Sequence, residues 1–119
     1  MKALSIRAPW SEMIASGKKT VECRTWHTHY RGPLLIVSSA SWEPDHVRHC
    51  SDWNVRPEDC PRGVAVCVVD LVDIDGERGE YEWHLRKPRR VRPVPIKGRL
   101  NIYEVADGLV TFVKRGKRR

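Results

Sequence analysis

The sequence predicts an α+β domain that is mainly β: a small barrel with one or two short helices packed on it. Three observations carry this reading. Short apolar or alternating runs recur along the chain, bounded by Gly, Pro, Asp or Ser. The clearest helical period is at Trp10, Met13 and Ile14, an i, i+3, i+4 stripe. The 119 residues hold no internal repeat and no low-complexity linker, so one core must serve them all. Residues 1–113 are read as that single domain, and residues 114–119 as a basic, disordered tail.

The elements follow in order. Residues 2–6 form a strand with Leu4 and Ile6 on one face. Pro9 suits the first turn of a helix, where a missing N–H costs nothing. Trp10, Met13 and Ile14 give that helix its apolar stripe, and Gly17 is its left-handed cap. A helix this short depends on packing for its stability. Residues 19–26 alternate and form a second strand. Thr20, Glu22 and Arg24 share one face of it, while Lys19, Val21 and Cys23 share the other. Residues 27–33 are a loop. Residues 34–37 are a buried strand ending at Ser38-Ser39, hydroxyl residues that either turn the chain or line a pocket.

Residues 40–62 are the least regular region, punctuated by Pro44, Pro57 and Pro61, with one short helix over residues 45–50. Residues 64–74 carry the strongest strand signal, apolar on both faces until Asp70 and Asp73. Asp75-Gly76 signals a turn. Residues 81–85 read as a short strand or an aromatic-bearing loop. Pro93 and Pro95 make residues 89–96 an extended edge. Lys97-Gly98 turns the chain, residues 101–105 are a strand, and Asp107-Gly108 signals a hairpin into residues 109–113.

Composition narrows the function. Hydrophobic residues make up 40%, enough for a core. No apolar run nears the ~20 residues of a membrane span. Arg7 and Pro9 arrive too early for a signal peptide, so a soluble cytoplasmic protein is expected. The net charge is +7. Ten of the 22 basic residues lie in two runs, Arg86, Lys87, Arg89, Arg90 and Arg92, and then Lys114, Arg115, Lys117, Arg118 and Arg119. The remaining 12 face 15 acidic residues, so the body is slightly acidic. Positive charge concentrated in this way points to a polyanion, most simply nucleic acid. The tail alone reads equally well as a solvated end.

Cys23, Cys50, Cys60 and Cys67 form no C-x-x-C pair, and His46, His49, Cys50 and Cys60 match no zinc module. Neither a metal nor a cofactor is expected. Cys23 and Cys67 lie in apolar strands, where cysteine acts as a small core residue. The thiols are expected to be reduced.

Residues 17–24 concentrate the chemistry: two lysines, a carboxylate and an arginine. They are either a paired surface or the floor of a polar pocket. A nucleobase needs a stacking platform and polar groups at its edge. Trp10, Trp26, Tyr81, Trp83 and Tyr103 are the candidate platforms. Lys19 and Arg24 can meet phosphate or carbonyl oxygens, and Glu22 can accept from an exocyclic amine. As a hydrolytic set, a desolvated Lys19 would serve as base or nucleophile. Glu22 would shuttle the proton, and Arg24 would orient Glu22 or stabilise an oxyanion. For RNA cleavage the candidates are Lys19, Tyr30 and His84.

Several segments together resemble the ASCH domain of the PUA-like β-barrel superfamily, over residues 2–106. They are Ser5-Ile6-Arg7-Ala8-Pro9-Trp10, the spacing Gly17-x-Lys19-x-x-Glu22-x-Arg24, Tyr30-Arg31-Gly32, Ile36-Val37-Ser38-Ser39, and Pro93-Val94-Pro95-Ile96-Lys97-Gly98 followed by Tyr103. The resemblance implies a small PUA-like barrel of five or six strands, with a cleft beside the first helix. It implies binding of RNA or of a modified nucleoside, with no obligate protein partner and no membrane. Some members of the family are amidohydrolases acting on acylated cytidine, and some cleave RNA; both activities stand as alternatives. Carried over, Lys19, Glu22 and Arg24 are the candidate catalytic residues. Arg7, Trp10, Tyr30, Ser38, Tyr81, Trp83, Lys97 and Tyr103 are the candidate ligand-binding residues. The amidohydrolase type carries threonine where this chain has Glu22, and residues 40–62 match no family pattern.

Overall fold

The computed structural model describes residues 1–42 and 44–114, with the side chains of Pro44, His46 and Val47 left aside. Residues 115–119, most of the basic tail, lie outside the described residues. The elements run β1 (Lys2–Ile6), α1 (Trp10–Ala15), β2 (Val21–Arg24), β3 (Gly32–Ser38), α2 (Pro44–Asp52), β4 (Ala65–Glu77), β5 (Glu80–Arg90) and β6 (Tyr103–Glu104). The six strands pair in the order β2-β5-β4-β3-β1-β6 and curl into a half-barrel, with β2 and β6 outermost. The mainly β, PUA-like expectation is met. Among the described residues no helix is long and apolar enough to cross a membrane.

The centre of the sheet is buried on both faces, as the unbroken apolar runs of β3 and β4 require. Leu34 and Ile36 of β3 join Leu4 and Ile6 of β1 in one core, capped by Ile14 and Ala15 of α1. Leu35 and Val37 face the other way, with Ala3, Ala65 and Val68, into a second core. Residues beyond β5 cover that second core, through Val91, Val94, Ile96 and Val105. β1 and β3 run parallel, and the other pairings are antiparallel. A parallel pair needs a long crossover, and here it contains both α1 and β2.

α1 keeps the expected stripe: Met13 and Ile14 are buried, and Gly17 caps it at φ +83°. Ser38 is the surprise at the end of β3. It neither turns the chain nor lines a pocket; fully buried, it accepts a 3.0 Å hydrogen bond from Ser11 Oγ and so ties α1 to the sheet.

Other boundaries move. β2 begins at Val21, so Lys19 and Thr20 precede it and escape its alternation. Cys23 is exposed rather than part of the core, while Cys67 is buried as expected. β4 runs through Asp75-Gly76 to Glu77, and the turn falls at Arg78-Gly79. Gly76 is needed inside the strand, because a Cβ there would collide with the Glu80 carbonyl. The segment 81–85 belongs to the longer β5, which also takes Arg89 and Arg90 from the expected edge. Asp107-Gly108 forms a single 3-10 turn rather than a hairpin. The chain then returns beside the end of β5, with the Arg92 N–H donating to the Thr111 carbonyl and Val113 N–H to that of Arg90.

Candidate ligand-binding cleft

Glu22 stands opposite Trp83 in the β2–β5 register, and Arg24 stands opposite Tyr81. Directly opposed residues share a face. Glu22 therefore points to the side where Trp83 joins the main core. A carboxylate there is tolerable only with charged partners. Lys19 Nζ lies 3.7 Å from one of its oxygens, and Arg24 Nε lies 3.6 Å from the other. Lys19 reaches Glu22 because it sits just before the strand. The simple alternation, which put the two on opposite faces, is corrected here.

The three line a cleft of about 940 Å³ between the end of β1, the start of α1, β2 and the loop of residues 97–101. Residues 39–41, after β3, complete its wall. The approach of the 97–101 loop depends on Gly98, where a Cβ would lie 2.9 Å from Ser5 Oγ. That hydroxyl is itself 2.7 Å from the Tyr103 hydroxyl.

Arg24 is the best-anchored of the three. Its Nη2 donates to the Ser5 carbonyl at 2.9 Å, and its guanidinium carbon is 6.0 Å from the centre of the Trp26 ring. Its Nε is the one buried side-chain nitrogen or oxygen among the described residues without a hydrogen-bond partner. Burial pushes the Glu22 carboxyl above the usual carboxylate range, with Arg24 and then Lys19 pulling the other way.

That direction fixes a pH effect. A group whose proton is held more tightly in the folded state adds stability at low pH, and the contribution disappears as pH rises through its raised folded value. The Glu22 contribution should therefore be present below about pH 4.5, the ordinary carboxyl value, and fade above it. Glu22→Gln should flatten this part of the profile and be more stable relative to wild type at pH 7 than at pH 4. Urea midpoints across that range check it; a parallel pH profile for the two proteins would refute it.

Of the expected ligand-binding residues, Arg7, Trp10 and Lys97 line the cleft with the central three. Tyr30, Ser38, Tyr81, Trp83 and Tyr103 do not. Tyr30 donates its hydroxyl proton to the Pro33 carbonyl. Tyr81 packs against the core, 5.3 Å from the His27 ring. Trp83 cannot stack a ligand, because it is 0% exposed. Its indole N–H donates to the Trp26 carbonyl at 3.3 Å, and its ring meets that of Trp26 edge-on at 4.8 Å. Trp83 thus supports Trp26, which does line the cleft. Ser39, Ser41, Arg99 and Asn101 also line it. Arg99 and Asn101 were missed: Lys97-Gly98 signals only a turn, and Asn101, read as the start of a strand over residues 101–105, precedes β6.

Among the described residues, Asp75, Glu82 and His84 bring potential metal-ligand atoms within 4.8 Å of one another. They lie on the β4–β5 hairpin, on the sheet face of Cys23, and none lines the cleft. Cys50 and Cys60 are buried beside Ala8, and burial pushes the Cys60 thiol up to about 12. His49 stacks on Trp10 at 5.0 Å. The His46 side chain lies outside the described residues.

A family model described as the ASCH domain matches residues 4–106. Human activating signal cointegrator 1 is 35% identical over 137 aligned residues, covering 95% of this chain and 24% of that protein. The mouse protein of the same name is 26% identical with the same coverage. The chain spans about a quarter of the length of these relatives. The crystal structure of a point mutant of ZmASCH from Zymomonas mobilis is similar with a TM-score of 0.62 at 13% identity, covering 92% of this chain and 98% of that one. At that identity the likeness speaks for the fold alone.

Proposed function

This chain belongs to the ASCH domain family, PUA-like in fold, and from that premise we propose that its cleft binds RNA or a modified nucleoside. The observation that carries the reading is the cleft's charge. Among the described residues, Arg7, Lys19, Arg24, Lys97 and Arg99 line it with one carboxylate, that of Glu22. Such a surface suits a phosphate-bearing ligand. Trp10 and Trp26 offer aromatic faces in the same cleft, and a stacked base contributes ~1–3 kcal/mol. The Arg24 guanidinium in the cleft wall supplies donors for a phosphate or a base carbonyl.

A second reading rests on the Lys19–Glu22 pair. An amine and a buried carboxyl 3.7 Å apart could exchange a proton through a small closing movement or a bridging water. It would suit hydrolysis of an acylated cytidine: Lys19 as the free amine takes a proton from water, the hydroxide adds to the acyl carbon with Arg24 facing the oxyanion, and the acyl C–N bond breaks as the proton passes through Glu22 to the leaving amine. A ribonuclease built on Lys19, Tyr30 and His84 has less support, since Tyr30 and His84 do not line the cleft.

The test is to incubate the purified protein with acylated cytidine and, separately, with labelled single-stranded RNA. The expected result is binding without turnover, weakened about tenfold in Lys19→Ala, the loss of one modest charge-assisted contact. Turnover of acylated cytidine that disappears in Lys19→Ala would replace this reading with the hydrolase. Failure to bind either ligand would overturn both.

A further inference from the structure

We propose that the cavity next to the cleft, built on Trp42 and Arg62, is a second subsite for the neighbouring nucleotide, so that the ligand is an RNA strand rather than a free nucleoside. The inference rests on the cleft reading above and names the substrate class within it. The second cavity measures about 680 Å³, and Ala40 is in the walls of both. Ser39 and Ser41 face the cleft while Trp42 faces the second cavity. Ser39 and Trp42 are three residue steps apart, at most ~11 Å of chain. Neighbouring nucleotides of one strand can bridge that distance.

The second cavity repeats the composition of the first, a tryptophan with a guanidinium. Arg62 lies over the Trp42 ring at 5.2 Å. Trp42 is in turn packed against Ala8, Cys50 and Cys60, so the platform beneath Arg62 is fixed by the interior. The cation–π contact leaves the exposed guanidinium's N–H groups for a phosphate. Arg62 is exposed, and no described carboxylate pairs with it. Glu58, the carboxylate in the same wall, is engaged by Arg56 at 2.6 Å. A free nucleoside has no phosphate for Arg62 to meet, whereas a strand of two or more nucleotides does. This gives a role to part of residues 40–62, a region whose sequence offered no functional reading.

The test compares cytidine monophosphate with a four-nucleotide oligocytidylate, titrated against wild type, Arg62→Gln, Arg62→Lys and Arg24→Gln over a range of salt. Arg62→Gln is expected to weaken the oligonucleotide about five- to tenfold and leave the mononucleotide within twofold. Its salt slope should fall by ~0.7, one phosphate contact on a single strand. Arg62→Lys should keep the slope while losing part of the affinity. Arg24→Gln should weaken both ligands. An oligonucleotide affinity and slope indifferent to Arg62→Gln would overturn the second subsite and leave the cleft standing. Equal weakening of both ligands by Arg62→Gln would also overturn it, since the residue would then act through the cleft. If wild type bound neither ligand, the cleft reading itself would fall. Arg62 is exposed, so an unchanged melting temperature is expected for its variants.

Discussion

Arg24→Ala is expected to weaken RNA binding by ten- to a hundredfold. Hydrogen bonds to a charged group contribute ~1.5–3 kcal/mol, and the Arg24 guanidinium stands in the cleft wall. The substitution also removes one of the two cations beside the buried Glu22 carboxyl. Glu22 then holds its proton still more tightly, and the cleft loses two elements of its charge pattern at once. Arg24→Lys restores the charge but not the planar fork that bonds the Ser5 carbonyl and lies toward Trp26. It should recover only part of the affinity. Titration with labelled single-stranded RNA reads both variants, beside urea unfolding to confirm the fold. Binding within twofold of wild type for Arg24→Ala would remove this residue from the ligand site.

The largest stability effect is expected at Trp83. Truncating a buried tryptophan to alanine costs ~3–5 kcal/mol. A domain of this size is stable by only ~5–15 kcal/mol, so Trp83→Ala should remove a large fraction of its stability. Trp83→Phe keeps an aromatic ring in the core and loses the N–H bond to the Trp26 carbonyl. That loss should cost ~1 kcal/mol in addition to the smaller ring's lost packing. Urea midpoints separate the two variants. A cost under ~1 kcal/mol for Trp83→Ala would contradict its place in the core.

The contrast between Trp83 and Trp26 shows what could be read in the sequence. The β3 and β4 strands were legible because a continuous apolar run has few alternatives. The first helix was legible because its period is strict. Both tryptophans were recognisable as platforms by residue type, but only the β2–β5 pairing decides which is buried. Alternation gives two faces without saying which one meets the core.

Lys19 was misplaced for a related reason. Its position relative to Glu22 depends on where β2 starts, and strand ends are set by pairing with β5 rather than by residue type. Asp75-Gly76 is a strong local turn signal, yet long-range pairing with β5 carries the strand through it. The three central residues, Lys19, Glu22 and Arg24, were legible as a group by their spacing. Of the 97–101 loop only the Lys97-Gly98 turn was legible, because nothing local says that the loop lies beside the end of β1.

The position of β2 has one more consequence. It is an outermost strand of the sheet and only four residues long. An unpaired strand edge is a template on which another chain can add itself, and short strands with inward-pointing charges resist this. Glu22 and Arg24 are such charges. The groups that shape the cleft therefore also guard the sheet against self-association. A sequence that exchanged them for apolar residues would lose the charges of the cleft and gain a surface suited to joining copies edge to edge. The same two side chains thus shape the cleft and close the edge.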